Sequence, residues 1–240
     1  MRDRLVLGYH AVSDRSASPR AVTRAALRRQ VAGLVGRGYV GATFSRALLG
    51  PSPPRCLAVT FDDGEHSVIE HAFPVLAALG VPGTVFVPVS PIGAPGLLGW
   101  ADLATLSEAG WEVGAHTLSH ARLTDIDDAS LGDELRGSRE AIEDTLGRPC
   151  RSLAYPYGAV DARVRAAAAR AGFTAGCTTG TTGTVGRADV LVWPRVGVDG
   201  DDGRTLFRLK TSRVGRALRG TPLRAPLERT GRRVRSLASR

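Results

Sequence analysis

The chain has 240 residues, 43% of them hydrophobic and 23% charged, and a formal charge of +9. Such a balance suits one domain of roughly 200 residues with a substantial core and excludes a disordered or fibrous chain. The three cysteines, Cys56, Cys150 and Cys177, lack any CxxC spacing, which argues against a disulfide framework and a thiolate zinc site.

In chain order, residues 4–9 read as the first strand, with His10 directly after it. This apolar stretch is too short for a signal peptide, and no run nears the eighteen or so apolar residues of a membrane span, so a cytoplasmic location is expected. Residues 23–37 place Ala26, Leu27, Val31, Leu34 and Val35 on one helical face, with Gly36 and Gly38 available to end it. The second strand, residues 57–61, ends on Asp62-Asp63-Gly64. A helix over 73–79 follows, with Pro74 in its first turn and Gly80 at its end. Residues 84–87 form the third strand, and a helix over 101–109 runs to Gly110. The fourth strand, 112–115, leads into His116-Thr117-Leu118-Ser119-His120. Helices over 129–146 and 161–171 stop at Gly147 and Gly172, either side of a fifth strand at 152–155 that opens on Pro156-Tyr157-Gly158. Residues 173–177 and 191–196 complete the strands, the last of them containing Arg195.

Strands alternating with helices imply βα units and a mostly parallel sheet. Seven strands in about 200 residues suit an α/β fold of the distorted or incomplete (β/α) barrel kind. In such a barrel the strand ends share a rim, which would gather His10, Asp62, Asp63, His116, His120, Tyr157 and Arg195. One carboxylate and two imidazoles can hold a metal with a position left open, and the spare carboxylate can move a proton, the requirements of a metal-dependent hydrolase. Alone, Asp-Asp-Gly is also a turn and helix cap, and His-x-x-x-His is a weak signal. Their joint occurrence is much more specific. His66 and His71 flank the helix after the aspartates and read as solvent-facing.

Thr60-Phe61-Asp62-Asp63-Gly64, His116-Thr117-Leu118-Ser119-His120 and Tyr155-Pro156-Tyr157-Gly158, in that order, resemble the first three motifs of the polysaccharide deacetylase family (carbohydrate esterase family 4, the chitooligosaccharide deacetylase homology domain). The resemblance covers roughly residues 4–200 and extends to Gly83-Thr84-Val85-Phe86-Val87 and to Trp100 ahead of Gly110-Trp111-Glu112-Val113-Gly114. It implies hydrolysis of the N-acetyl group of an amino sugar in an oligosaccharide, polysaccharide or lipid-linked glycan. It further implies that Asp63, His116 and His120 hold a divalent metal, usually Zn2+, with Asp62 as general base. The backbone N–H of Tyr157, in a turn constrained by Pro156, would stabilise the oxyanion.

The chain departs from the commonest family pattern in two places. It has no histidine after His120, so the general acid would be His10, whose Gly8-Tyr9-His10 setting resembles the Tyr-His motif of the branch containing poly-N-acetylglucosamine deacetylases. Ala154 stands where many relatives carry an arginine. Arg195, in Trp193-Pro194-Arg195-Val196, could orient Asp62 instead, or be an exposed rim residue. Hydrolysis of another non-peptide amide or an O-acetyl ester, and an inactive carbohydrate-binding relative, stay open as alternatives.

The charge divides the chain into a body, residues 1–205, and a basic tail, residues 206–240. Residues 207–240 hold eleven Lys or Arg against Glu228, a balance of +10, which leaves about −1 for the rest. The tail reads first as a solvated extension, and Leu206, Phe207, Leu209, Val214 and Leu218 among the arginines give as the alternative an amphipathic helix in peripheral contact with an anionic membrane surface. With no aromatic interleaving or recognition motif, no nucleic acid partner is expected.

Overall fold

The computed structural model describes residues 3–16, 18–51, 53–179 and 189–218. The part of the basic tail after residue 218 lies outside them. The elements are, in order, β1 (Asp3–Tyr9), β2 (Ala11–Val12), β3 (Ala21–Val22), α1 (Arg24–Val35), β4 (Val40–Gly41), α2 (Phe44–Leu49), β5 (Arg55–Phe61), α3 (Phe73–Ala77), β6 (Gly83–Val87), α4 (Trp100–Glu108), β7 (Glu112–Ala115), α5 (Asp128–Leu146), β8 (Ser152–Ala154), α6 (Ala162–Arg170), β9 (Ala175–Thr178), β10 (Trp193–Pro194), β11 (Val196–Gly197), α7 (Arg204–Thr211) and α8 (Arg213–Leu218). No helix among the described residues is long and apolar enough to cross a membrane.

The main sheet runs β10-β9-β8-β7-β6-β5-β1-β11, with every pair parallel and β4 beside the start of β5. Its two edge strands are separated in sequence by Arg195 alone. Trp193 and Pro194 pair with Cys177 and Thr178 of β9, while Val196 and Gly197 pair with Leu7 and Gly8 of β1. One short segment therefore joins both edges and shuts the sheet into a distorted (β/α) barrel.

Because side chains alternate along a strand, the barrel has two apolar layers. Leu5, Leu7, Tyr9, Leu57, Val59, Phe61, Val85 and Val87 face outward into the core shared with the helices. Tyr9, Phe61 and Trp111 stack there, with ring centroids 5.6 and 5.8 Å apart. Burying a large apolar side chain of this kind contributes roughly 1.5–3 kcal/mol. The alternate positions Val6, Cys56, Ala58, Phe86, Ala154, Ala175 and Cys177 form a smaller inner core, closed at the strands' N-terminal end by Phe44, Ala47 and Leu48 of α2. It is tightly filled: a Cβ on Gly114 would stand 2.5 Å from the Phe86 ring and 2.6 Å from Ser152 Oγ. All three cysteines are buried and unpaired.

The helices start and stop as their terminal residues dictate. Thr23, Asp127 and Asp161 accept from the backbone N–H groups of Ala26, Ser130 and Val164, and left-handed Gly147 ends α5. On α5, Leu131, Leu135, Ser138 and Ile142 recur at helical spacing on the buried face. The helix expected over 73–79 differs at its start, where a π-turn, Val68–Ala72, runs directly into α3. Pro74 has no N–H to give the Glu70 carbonyl, and Phe73 N–H reaches back to Val68 O instead.

Candidate active site

The β1–β5 register sets Tyr9 opposite Phe61, and Asp62 N–H donates to Tyr9 O at 3.0 Å, so His10 and the aspartate pair leave neighbouring strand ends. Asp62 continues the inward-facing positions of β5 and is buried. Arg195, at the seam where the barrel closes, reaches it with both terminal nitrogens, 2.7 Å to Oδ1 and 2.5 Å to Oδ2. The same guanidinium donates to Thr60 Oγ1 at 2.9 Å and Thr178 O at 3.2 Å, and it stands over the Phe86 ring. Burial alone would raise the Asp62 pKa. Arg195, with smaller help from His116 and His10, outweighs burial and holds the carboxyl below its usual range.

Asp63 turns the other way. Its φ of 69° and the 67° of Gly64 swing its carboxylate toward the end of β7. There Oδ1 stands 3.4 Å from His116 Nε2 and 3.3 Å from His120 Nε2, and one donor atom from each residue falls within a 4.8 Å cluster. Two ligands each about 2.0–2.1 Å from one tetrahedral cation stand about 3.3–3.4 Å apart, so this spacing suits ligands sharing an ion. The outer nitrogens support the same orientation. His116 Nδ1 lies 2.7 Å from Ala154 O, which can only accept, so Nδ1 carries a proton and Nε2 is the nitrogen that faces Asp63. His120 Nδ1 lies 3.1 Å from Tyr157 Oη, and Arg122 covers the Tyr157 ring at 4.6 Å. Burial pushes the Asp63 pKa up, but the two imidazoles and His10 bring it well below the carboxylate range.

Strain gathers at this rim. Asp63, Thr117, His120 and Tyr157, the non-glycine residues with positive φ among those described, all belong to it. Each such backbone costs of order 1–3 kcal/mol and persists only where neighbours enforce it. For the histidine loop the enforcer is Glu134 of α5. Its Oε2 accepts from Leu118 N–H at 2.8 Å and Ser119 N–H at 3.0 Å, and its Oε1 accepts from Ser119 Oγ at 2.5 Å. Glu134 belongs to none of the sequence motifs. Its only signal is an acid on the helix after the loop, and which way that helix faces depends on packing.

The other rim residues sit as follows. Pro156 is buried in the turn Pro156–Gly158, while Tyr157 is 55% exposed. His10 is half-buried, and its Nδ1 is buried without a hydrogen-bond partner among the described residues. Ala154 contributes its carbonyl to His116 rather than a side chain to Asp62. His66 is exposed and His71 half-buried; their nearest acids are Glu70 and Asp102, and neither residue joins the Asp63 cluster.

Comparison with known proteins points one way. The family model described as polysaccharide deacetylase matches residues 50–176. YxkH of Bacillus subtilis is 26% identical over 180 residues, covering 72% of this chain and 63% of that protein. The poly-beta-1,6-N-acetyl-D-glucosamine N-deacetylase of Staphylococcus epidermidis is 27% identical over 173 residues, covering 66% of this chain and 60% of that protein. The chain thus spans less than two thirds of the length of either curated relative. A crystal structure of a polysaccharide deacetylase from Bacillus cereus is similar with a TM-score of 0.78 at 26% identity, covering 88% of this chain and 69% of that one.

Proposed function

Because the chain belongs to the polysaccharide deacetylase family, we propose that it is a metal-dependent de-N-acetylase acting on an amino sugar of an oligosaccharide, polysaccharide or lipid-linked glycan. The observation that supports this most is the meeting of Asp63, His116 and His120 beside a second, guanidinium-clamped carboxylate. Asp63 Oδ1 and the two Nε2 atoms fit a divalent cation, and a mixed carboxylate and imidazole set suits zinc. Such a cation polarises an amide carbonyl and lowers the pKa of a water.

The chain's own residues supply the rest. Asp62 accepts the proton of the attacking water, with its two oxygens fixed by Arg195 in one orientation. The backbone N–H of Tyr157, in the turn set by Pro156, donates to the oxyanion that forms as water adds to the carbonyl carbon. His10, on the rim beside both aspartates, gives a proton to the leaving nitrogen as the C–N bond breaks. Acetate and the free amine are the products. The relatives' names direct the substrate search to polymers of N-acetylglucosamine.

The test is acetate release from β-1,6- and β-1,4-linked N-acetylglucosamine oligomers, before and after chelation and with zinc restored. Release should vanish on chelation and return with zinc, and Asp63→Ala should abolish both zinc binding and release. His10→Ala should keep zinc and lose nearly all turnover. Release that survives Asp63→Ala, or the release of ammonia or of an O-acetyl group in place of N-acetyl, would overturn the reading.

A further inference from the structure

A cavity of about 740 Å³ lies between α1 and α7, apart from the site just described. Its α1 wall follows one helical face through Ala26, Gln30 and Gly33, Arg37 follows in the turn after the helix, and Phe207 and Arg208 stand on the α7 side. Four exposed arginines line it, Arg29, Arg37, Arg204 and Arg208, and none of them forms an ion pair among the described residues. Of the two acids there, Asp202 is bonded to Lys210 at 2.6 Å.

Beside this groove the molecule exposes aliphatic side chains. Leu206 is 44% exposed, Leu209 51% and Val214 66%, although Phe207 and Thr211 of the same helix pair are buried. The pair is fixed to the barrel. Arg213 and Arg216 reach Asp3 at 3.2 and 2.6 Å, and Lys210 also donates to Gly197 O. The groove's Gly200–Gly203 end follows β11, at the same end of the barrel as Asp62 and His10. Aliphatic groups beside arginines that form no ion pair among the described residues match the boundary between acyl chains and anionic headgroups.

We propose that the α7–α8 face and the arginine-lined groove beside it dock on an anionic lipid bilayer. Arg29, Arg37, Arg204 and Arg208 meet lipid phosphates, and Leu206, Leu209 and Val214 enter the acyl boundary. The start of α7 lies at the barrel end that carries Asp62 and His10, whereas α8, tied to Asp3, lies toward the opposite mouth, so the docked face runs along the side of the barrel. The inference is independent of the proposed reaction, because its test contains no glycan.

The full chain is sedimented with phosphatidylcholine vesicles, with or without phosphatidylglycerol. Binding should need phosphatidylglycerol and weaken as salt rises. Arg204→Ser with Arg208→Ser should weaken it roughly 30-fold, and Leu206→Asp with Leu209→Asp about tenfold or more. Circular dichroism checks each pair, and if one fails to fold the other decides. Binding that ignores phosphatidylglycerol, or that both pairs leave intact, overturns the proposal; the second result would assign the attraction to residues 219–240. So would a dimer of the chain that Leu206→Asp with Leu209→Asp dissociates without any lipid dependence.

Discussion

Two carboxylates point into the barrel from its opposite mouths, and they are held by different means. Asp62, at the C-terminal ends of the strands, is gripped by the Arg195 guanidinium in a bidentate pair. Glu112, at the N-terminal end, meets neutral donors: Ser45 N–H at 2.8 Å, Ser152 Oγ at 2.6 Å and, more weakly, Thr84 Oγ1 at 3.4 Å. A guanidinium fixes both oxygens and keeps the charge ionised over a wide pH range. Neutral donors satisfy a carboxylate while they are themselves satisfied, and here that completes a helix. Thr43 makes no side-chain cap for α2, whose first N–H groups are met by Thr84 and Glu112 from inside the barrel. One mouth holds a buried ion pair and the other holds a plug in place.

Substitutions can break this contrast, beginning where the effect is greatest. Asp62→Asn keeps the shape but removes the proton acceptor, so kcat for acetate release should fall about 10²–10⁴-fold at unchanged zinc content. A fall of less than about tenfold would remove Asp62 from the role of base. Arg195→Met strands the buried Asp62 charge and should destabilise the protein by about 3–5 kcal/mol in urea denaturation. A loss below about 1 kcal/mol would show that the pair is replaceable.

Glu134 sharpens the comparison, because it uses neutral donors, as Glu112 does, but at the rim that carries Asp62. Glu134→Ala should release the left-handed His116–His120 loop and weaken zinc binding about 10–100-fold, read by competition with a chromophoric chelator. Unchanged affinity would mean that the loop keeps its shape without this clamp. Glu112→Gln should be mildest, about 1–2 kcal/mol of stability from a poorer cap on α2, with acetate release intact. A marked loss of turnover there would mean that the two mouths are coupled.

Much of the rim was legible because a parallel barrel leaves little choice: residues that follow successive strands must share an end. That rule alone gathers His10, Asp62, Asp63, His116, Tyr157 and Arg195 from 186 residues of chain. His10 and Arg195 also lie outside the stretch matched by the family model, so they are supplied by the chain before and after it. The illegible parts depend on packing between distant segments. α2 is six residues long, too short for a helical period to show, and its cap comes from Thr84 and Glu112, far along the chain. Asp63, Thr117, His120 and Tyr157 adopt backbones that glycine usually signals, and no glycine marks those positions. In the basic segment, net charge gave no hint that Phe207 is buried or that Arg213 and Arg216 are tied to Asp3.

The position of Arg195 between two strands on opposite edges has a consequence for biosynthesis. While the polypeptide is still leaving the ribosome, Asp63, His116 and His120 emerge long before residue 195. An incomplete product that ends before residue 195 therefore leaves Asp62 unclamped and the sheet open. Sealing the barrel and clamping Asp62 thus depend on the same late-emerging segment.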